Sequence, residues 1–199
     1  MKRWYGWDKM YNTYTDTIEF NSKLKNVLID TTYRLADINQ LNNSLHLPVD
    51  FRFDSHVSNI NDTKHYQLRW SPDVWYNKMD GVEVGLHLGG NYMNFKHIFS
   101  LSAWINSGNF MKQMKVSSGN EAQPFAYAFT YQNNINRFLK NTTLNLNSRF
   151  YAGLIQEGAG IDYNGNDNNT VHAEIKFMHR PEIFASEYSL TPNYWEKGT

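Results

Sequence analysis

Apolar and polar side chains alternate with a period of two along VEVGLHLGGNYMNFKHIFSLSAWINS, residues 82–107, and the rest of the chain reads as built around that stretch. Val82, Val84, Leu86 and Leu88 fall on one face of a pleated strand, with Glu83, Gly85, His87 and Gly89 on the other. The order breaks at Met93-Asn94-Phe95-Lys96, then resumes with Phe99, Leu101, Ala103 and Ile105 against Ser100, Ser102, Trp104 and Asn106. The pattern predicts an antiparallel hairpin joining residues 82–92 to residues 98–106. A slip of one residue would turn every apolar side chain to the opposite face, so the register is fixed by the pattern.

Each arm is about ten or eleven residues, whereas strands of globular proteins are mostly about five or six. At about 3.3 Å per residue and a tilt near 45°, eleven residues climb roughly 25 Å, the height of the apolar band of an outer-membrane barrel. A soluble sandwich carries the same alternation with its apolar face turned inward, so alternation by itself leaves both arrangements open.

The remaining elements follow the same rhythm. Val49, Phe51 and Phe53 alternate with Asp50, Arg52 and Asp54 as a short strand, and residues 66–70 form another that Pro72 is expected to stop. Asp80-Gly81 turns the chain into the central hairpin. Residues 108–123 read as a long polar loop on one rim. Phe125, Tyr127, Phe129 and Tyr131 then line one face of a strand, and Leu144, Leu146, Ser148 and Phe150 line the next. A short run, Ile161-Asp162-Tyr163, leads into the turn residues 164–169, and Val171, Ala173, Ile175 and Phe177 return opposite His172, Glu174 and Lys176. Near the N-terminus, residues 15–20 and 26–29 are two short β candidates, and residues 30–43 read as a turn, a short helix or loop, and a linker.

The expected fold is therefore all-β: an antiparallel long-stranded meander forming a partial outer-membrane β-barrel, preceded by a short β and linker segment. Residues 1–45 are the end of a preceding β-domain with its linker, and residues 46–199 are the barrel segment. Five long strands, accompanied by two or three shorter ones, are fewer than the roughly eight long strands that a closed barrel needs, so unpaired edges are expected.

Composition narrows the function classes. Lys plus Arg and Asp plus Glu are equal at 19 each, so no basic excess points to nucleic acid. The absence of cysteine excludes a disulfide framework, a thiolate metal site and a cysteine nucleophile. No window approaches about eighteen consecutive apolar residues, which excludes a membrane helix but not a barrel. The N-terminal MKRWYGWDKMYNTYTDTIEF has no apolar core of about seven residues and no small-residue cleavage site, so it does not read as a secretory signal.

Candidate chemistry is sparse. The histidines 46, 56, 65, 87, 97, 172 and 179 include no pair one helical turn apart with a glutamate beside the first, the arrangement a zinc peptidase helix requires. His172 and Glu174 share a strand face and could help bind a metal, but a polar row facing a lumen or solvent explains them as well. Asp162, Asn164, Asn166 and Asn168 have the spacing of a calcium loop, but Asp167 stands where glycine is needed and Ala173 where a bidentate glutamate is needed. A hairpin turn accounts for them better. Gly85, Gly89 and Gly90 read as strand glycines, because no helix follows them to build a phosphate site. Trp70, Trp75, Tyr76, Tyr92, Phe95 and Phe110 lie near strand ends, where an interfacial aromatic girdle would sit. No catalytic, cofactor-binding or metal-ligating residue is assigned.

Three passages, NVLIDTTYRLADINQLNN at 26–43, FRFDSHVSN at 51–59 and PDVWYNKMDGVEVGLHLGGNYMNFKH at 72–97, resemble the C-terminal part of large M1-type (gluzincin) metallopeptidases of Bacteroidota. In that family a zinc aminopeptidase-like portion and a β-domain are followed by a predicted outer-membrane barrel. The resemblance covers most of this chain and only a minority of such a protein, and its motifs are structural. It implies a parent enzyme whose zinc site lies before Met1, with no cofactor in this chain. It also implies a location in the cell outer membrane, with outer-membrane lipid and the rest of the parent polypeptide as partners and no nucleic acid.

The expected function is thus a membrane-anchoring barrel segment of a surface zinc metallopeptidase, itself without catalytic residues. The alternatives are a non-enzymatic outer-membrane barrel, acting as a channel or surface protein, and a soluble all-β binding module. A His-Glu-x-x-His motif upstream in the gene separates the first from the second.

Overall fold

A computed structural model describes residue 15, residues 17–19, 21–32, 34, 37, 39–55, 62–77, 81–106, 125–151, 153–165 and 169–180. They form one eight-stranded sheet in sequence order: β1 (Val49–Phe53), β2 (Tyr66–Asn77), β3 (Gly81–Tyr92), β4 (Lys96–Asn106), β5 (Phe125–Asn134), β6 (Thr142–Tyr151), β7 (Leu154–Asn164) and β8 (Thr170–His179). Every pairing from β2 to β8 is antiparallel, while β1 runs parallel to β2. The sheet is open among the described residues, with β1 and β8 at its edges.

The central hairpin has the expected register: Val84 pairs with Ile105, Leu86 with Ala103 and Leu88 with Leu101. Its turn bends at Met93 (φ 55) and Asn94 (φ 60), and the Phe95 amide donates to the Tyr92 carbonyl at 3.3 Å. Two successive positive φ angles give the tight turn whose twist matches antiparallel strands. A register shift between Gly90 and Tyr92 absorbs the remaining offset.

Several expectations need correction. Pro72 does not stop β2, which runs through it to Asn77 with Pro72 opposite Leu86. Strand β1 covers β2 only as far as Trp70, so beyond that point β2 is an edge strand, where a missing amide is tolerated. The short run at Ile161 is the end of an eleven-residue strand, β7, in which Glu157, Gly158 and Gly160 interrupt the apolar alternation. Seven strands are ten residues or longer, rather than five. The N-terminal β candidates are not strands among their described residues: only an isolated bridge, Leu28 to Ser44, occurs there. A 3-10 turn at Gln40–Asn43 is the short helix of the linker. The polar loop expected at 108–123 lies outside the described residues.

The sheet is curled with its polar face on the inside. Gln67, Arg69, Glu83, Ser102, Asn106 and Gln156 are buried, and all share the inner rows defined by the strand register. The outer rows carry exposed apolar side chains: Val74, Val84, Leu86, Ile105, Phe125, Ile161, Ile175 and Phe177. Leu86 is 59% exposed and Glu83 only 2%, the reverse of a soluble core. Among the described residues the extensive inter-strand contacts run between sheet neighbours.

Candidate functional site

Two surfaces define what this fold presents: the polar inner face and the apolar outer face. The inner face is built where the sequence alternates a polar or small residue between apolar ones. Register then assembles these residues into rows across the strands, such as Ser71, His87, Ser102, Ala128, Arg149 and Gln156. Within that row His87 Nδ1 lies 2.8 Å from Ser102 Oγ, and Arg149 donates to Gln156 Oε1. These bonds satisfy polar groups that the curled sheet removes from water.

Arg69 is a buried cation of the inner face. Its Nη2 lies 3.1 Å from Asp50 Oδ2, and its Nη1 donates to the Asp50 carbonyl at 3.0 Å. The guanidinium thereby ties β1 to β2 by side chain as well as by ladder. Sequence reading missed this pair, because Asp50 and Arg69 meet only through the parallel register that sets Asp50 beside Gln67.

His172 and Glu174 do share the inner face, together with Asp162, Asn145, Asn147 and Lys176. His172 Nδ1 bonds Asp162 Oδ1, and Asn145 Nδ2 donates to Asp162 Oδ2. Glu174 accepts from Asn147 Nδ2 at 3.0 Å and from Lys176 Nζ at 3.2 Å, while His172 Nε2 stands 3.8 Å away. Room for this network comes from two glycines. A Cβ at Gly158 would meet the Asn147 side chain at 2.6 Å, and one at Gly160 would approach Glu174 Cβ at 3.2 Å. The carboxylates are thus occupied by amide, imidazole and ammonium donors. Among the described residues no group of three or more His, Asp or Glu side chains is placed to hold a metal ion.

Of the four residues at calcium-loop spacing, Asp162 and Asn164 are described. Asp162 belongs to β7 and is engaged by His172 and Asn145, and Asn164 bonds the Thr170 hydroxyl at 3.1 Å. Asn166 and Asn168 lie outside the described residues.

The aromatic residues divide between locations. Tyr76 is exposed on the outer face at a strand end, and Trp70 on the same face packs edge-on against Phe53. Phe95 is exposed in the β3–β4 turn. Tyr92 is fully buried, its hydroxyl donating to the Thr63 carbonyl at 2.7 Å and accepting from the Gln40 amide at 3.0 Å, so it fastens the linker to the sheet. Trp75 is no girdle residue: it sits on the inner face and contacts Trp104 and Tyr151. Its parity with Asp73 and Ser71 is the signal that could have placed it there. Phe110 lies outside the described residues.

At the rim where β2 begins, Asp62 accepts from the Lys64 amide at 2.9 Å and faces His65 Nδ1. Burial alone would raise the Asp62 carboxyl, but the His65 ring and the Lys64 amide hold it below the usual carboxylate range.

Comparison of the chain with protein-family models, curated proteins and solved structures gives no match in any of the three.

Proposed function

We propose that this chain is a wall of a transmembrane β-barrel that anchors a larger protein in an outer membrane. The observation that carries this reading is the inversion of the sheet, with apolar rows exposed on the outside and hydrogen-bonded polar rows on the inside. Strands of ten to twelve residues fit the same reading, since at a barrel tilt they climb roughly 25 Å. Lipid is the solvent that makes such an outer face favourable: every apolar side chain there would otherwise forfeit about 25 cal/mol per Å² of surface left in water. The resemblance to Bacteroidota M1-type metallopeptidases supplies the anchored partner, a zinc peptidase whose chemistry resides outside these residues. An upstream His-Glu-x-x-His motif in the gene tests that part, and its absence leaves a barrel without an enzyme.

The membrane reading is tested with single-cysteine variants, which the cysteine-free chain makes unambiguous. Spin labels at Val84, Leu86 and Phe177 in lipid vesicles are expected to collide with oxygen and be shielded from a polar nickel complex. Labels at Gly89 and Asn147 should show the opposite. Outer-row labels that meet the nickel complex freely would refute a lipid-facing sheet.

A further inference from the structure

We infer that the inner face is sealed by an aromatic plug at the end where β2 finishes and β3 begins, so that the wall passes no solute along its interior. The inference rests on the barrel reading and adds to it a property that separates a closed anchor from a channel.

Strands β2 and β6 are four positions apart in the sheet, about 19 Å if the sheet were flat. Yet the ring of Trp75 on β2 lies 4.7 Å, centroid to centroid, from that of Tyr151 on β6. Side chains of strands so far apart touch only if the sheet curls until those strands face each other across its concave side. That degree of curl belongs to barrels of about eight strands, whose interior is just wide enough for side chains to fill. Trp104 on β4 completes the cluster, packing edge-on against Trp75 at 6.1 Å. Gly85 makes this possible, because a Cβ there would stand 2.7 Å from Trp104 Cδ1.

The rings of Trp75, Trp104 and Tyr151 are half-buried. Glu83 and Asn106, which occupy inner-row positions at the same end, are each 2% exposed. Near β8 the inner face is open by contrast, with the side chains of His172 and Lys176 at 56% and 41% exposure. A solute path needs a continuous polar column, and three contacting rings interrupt it at one level.

The test uses the full chain inserted in lipid vesicles loaded with a small uncharged sugar. Wild-type vesicles should retain the sugar, and the double variant Trp75→Ala/Tyr151→Ala should release it. Release by wild type overturns the plug, and so does full retention by the inserted double variant. Flotation on a density gradient reports insertion separately: a chain that does not float tells against the membrane reading. The cross-sheet contact is then decided by a size-conserving probe, benzoylphenylalanine in place of Tyr151, which works in any solvent and also covers a double variant that fails to fold. Irradiation should cross-link it to the β2 peptide carrying Trp75. Cross-links confined to the neighbouring strands β5 and β7 overturn the inference.

Discussion

Leu86→Lys is the substitution most able to reveal which solvent the outer face meets. Leu86 lies near the middle of β3, between Pro72 of β2 and Ala103 of β4, and its side chain is exposed. Five residues from the start of the strand, at about 3.3 Å each and a tilt near 45°, place it roughly 12 Å above that rim, close to the centre of a 25 Å apolar band. A lysine at such a depth costs about 2–4 kcal/mol on the lipid face of a barrel. That corresponds to roughly a thirty-fold to thousand-fold fall in the folding constant. In water the same change at an exposed site stays within about 0.5 kcal/mol. Val82→Lys, one residue into the same strand and on the same face, should cost only about 0–1 kcal/mol because the ammonium reaches the interface. Urea unfolding in vesicles, followed by tryptophan emission, gives both values. Equal and negligible costs at the two depths would refute the lipid-facing assignment.

Gly85→Ala should destabilise by at least about 1–3 kcal/mol, since the new Cβ would meet the Ala103 carbonyl oxygen at 2.0 Å. Gly89→Ala, whose Cβ would find only His87 Nε2 at 3.4 Å, should be tolerated; equal effects in denaturant titrations would count against the packing described. Asp50→Ala leaves the Arg69 guanidinium buried without its carboxylate and should cost about 3 kcal/mol, whereas Asp50→Ala combined with Arg69→Met should recover part of that loss. No recovery in the double variant would mean that the pair is not coupled. Asp62 has a folded-state pKa below its ordinary 3.8, so its contribution is present above that value and is lost as pH falls through the lower, folded value. The stability gap between wild type and Asp62→Asn should therefore persist at neutral pH and close in acid below 3.8; a gap independent of pH would refute the bond network around Asp62.

The hairpin was legible because its alternation is uninterrupted, and a period of two fixes both the element and its register. Strand β7 was not, because Glu157 occupies an outer position and Gly158 and Gly160 occupy inner ones, which erases the contrast that pattern reading needs. Pro72 misled for a different reason: its cost depends on whether a neighbour claims its edge, and that is set by how far β1 extends. Which face turns inward was beyond the pattern altogether. A strand with one apolar face reads identically whether that face is turned inward or outward, and it is the burial of Glu83 against the exposure of Leu86 that shows the polar face to be the inner one. For the polar inner face, residue types were readable but partners were not. His172 and Glu174 were seen to share a row, while the Asp162 and Asn145 that engage His172's side of it depend on the β6–β7–β8 register.

Strand direction carries one more consequence. From β2 to β8 the chain reverses at each of the antiparallel pairings, so β8 ends up running the same way as β2, and β1, parallel to β2, runs that way as well. The two free edges are therefore codirectional. Bringing them directly together would make a parallel seam, as would inserting any even number of strands between them. A cylinder whose seam is antiparallel admits only odd insertions, one or three but never two, whichever polypeptide supplies them. This parity rule constrains any complete assembly that contains the sheet before a single further residue of it is seen.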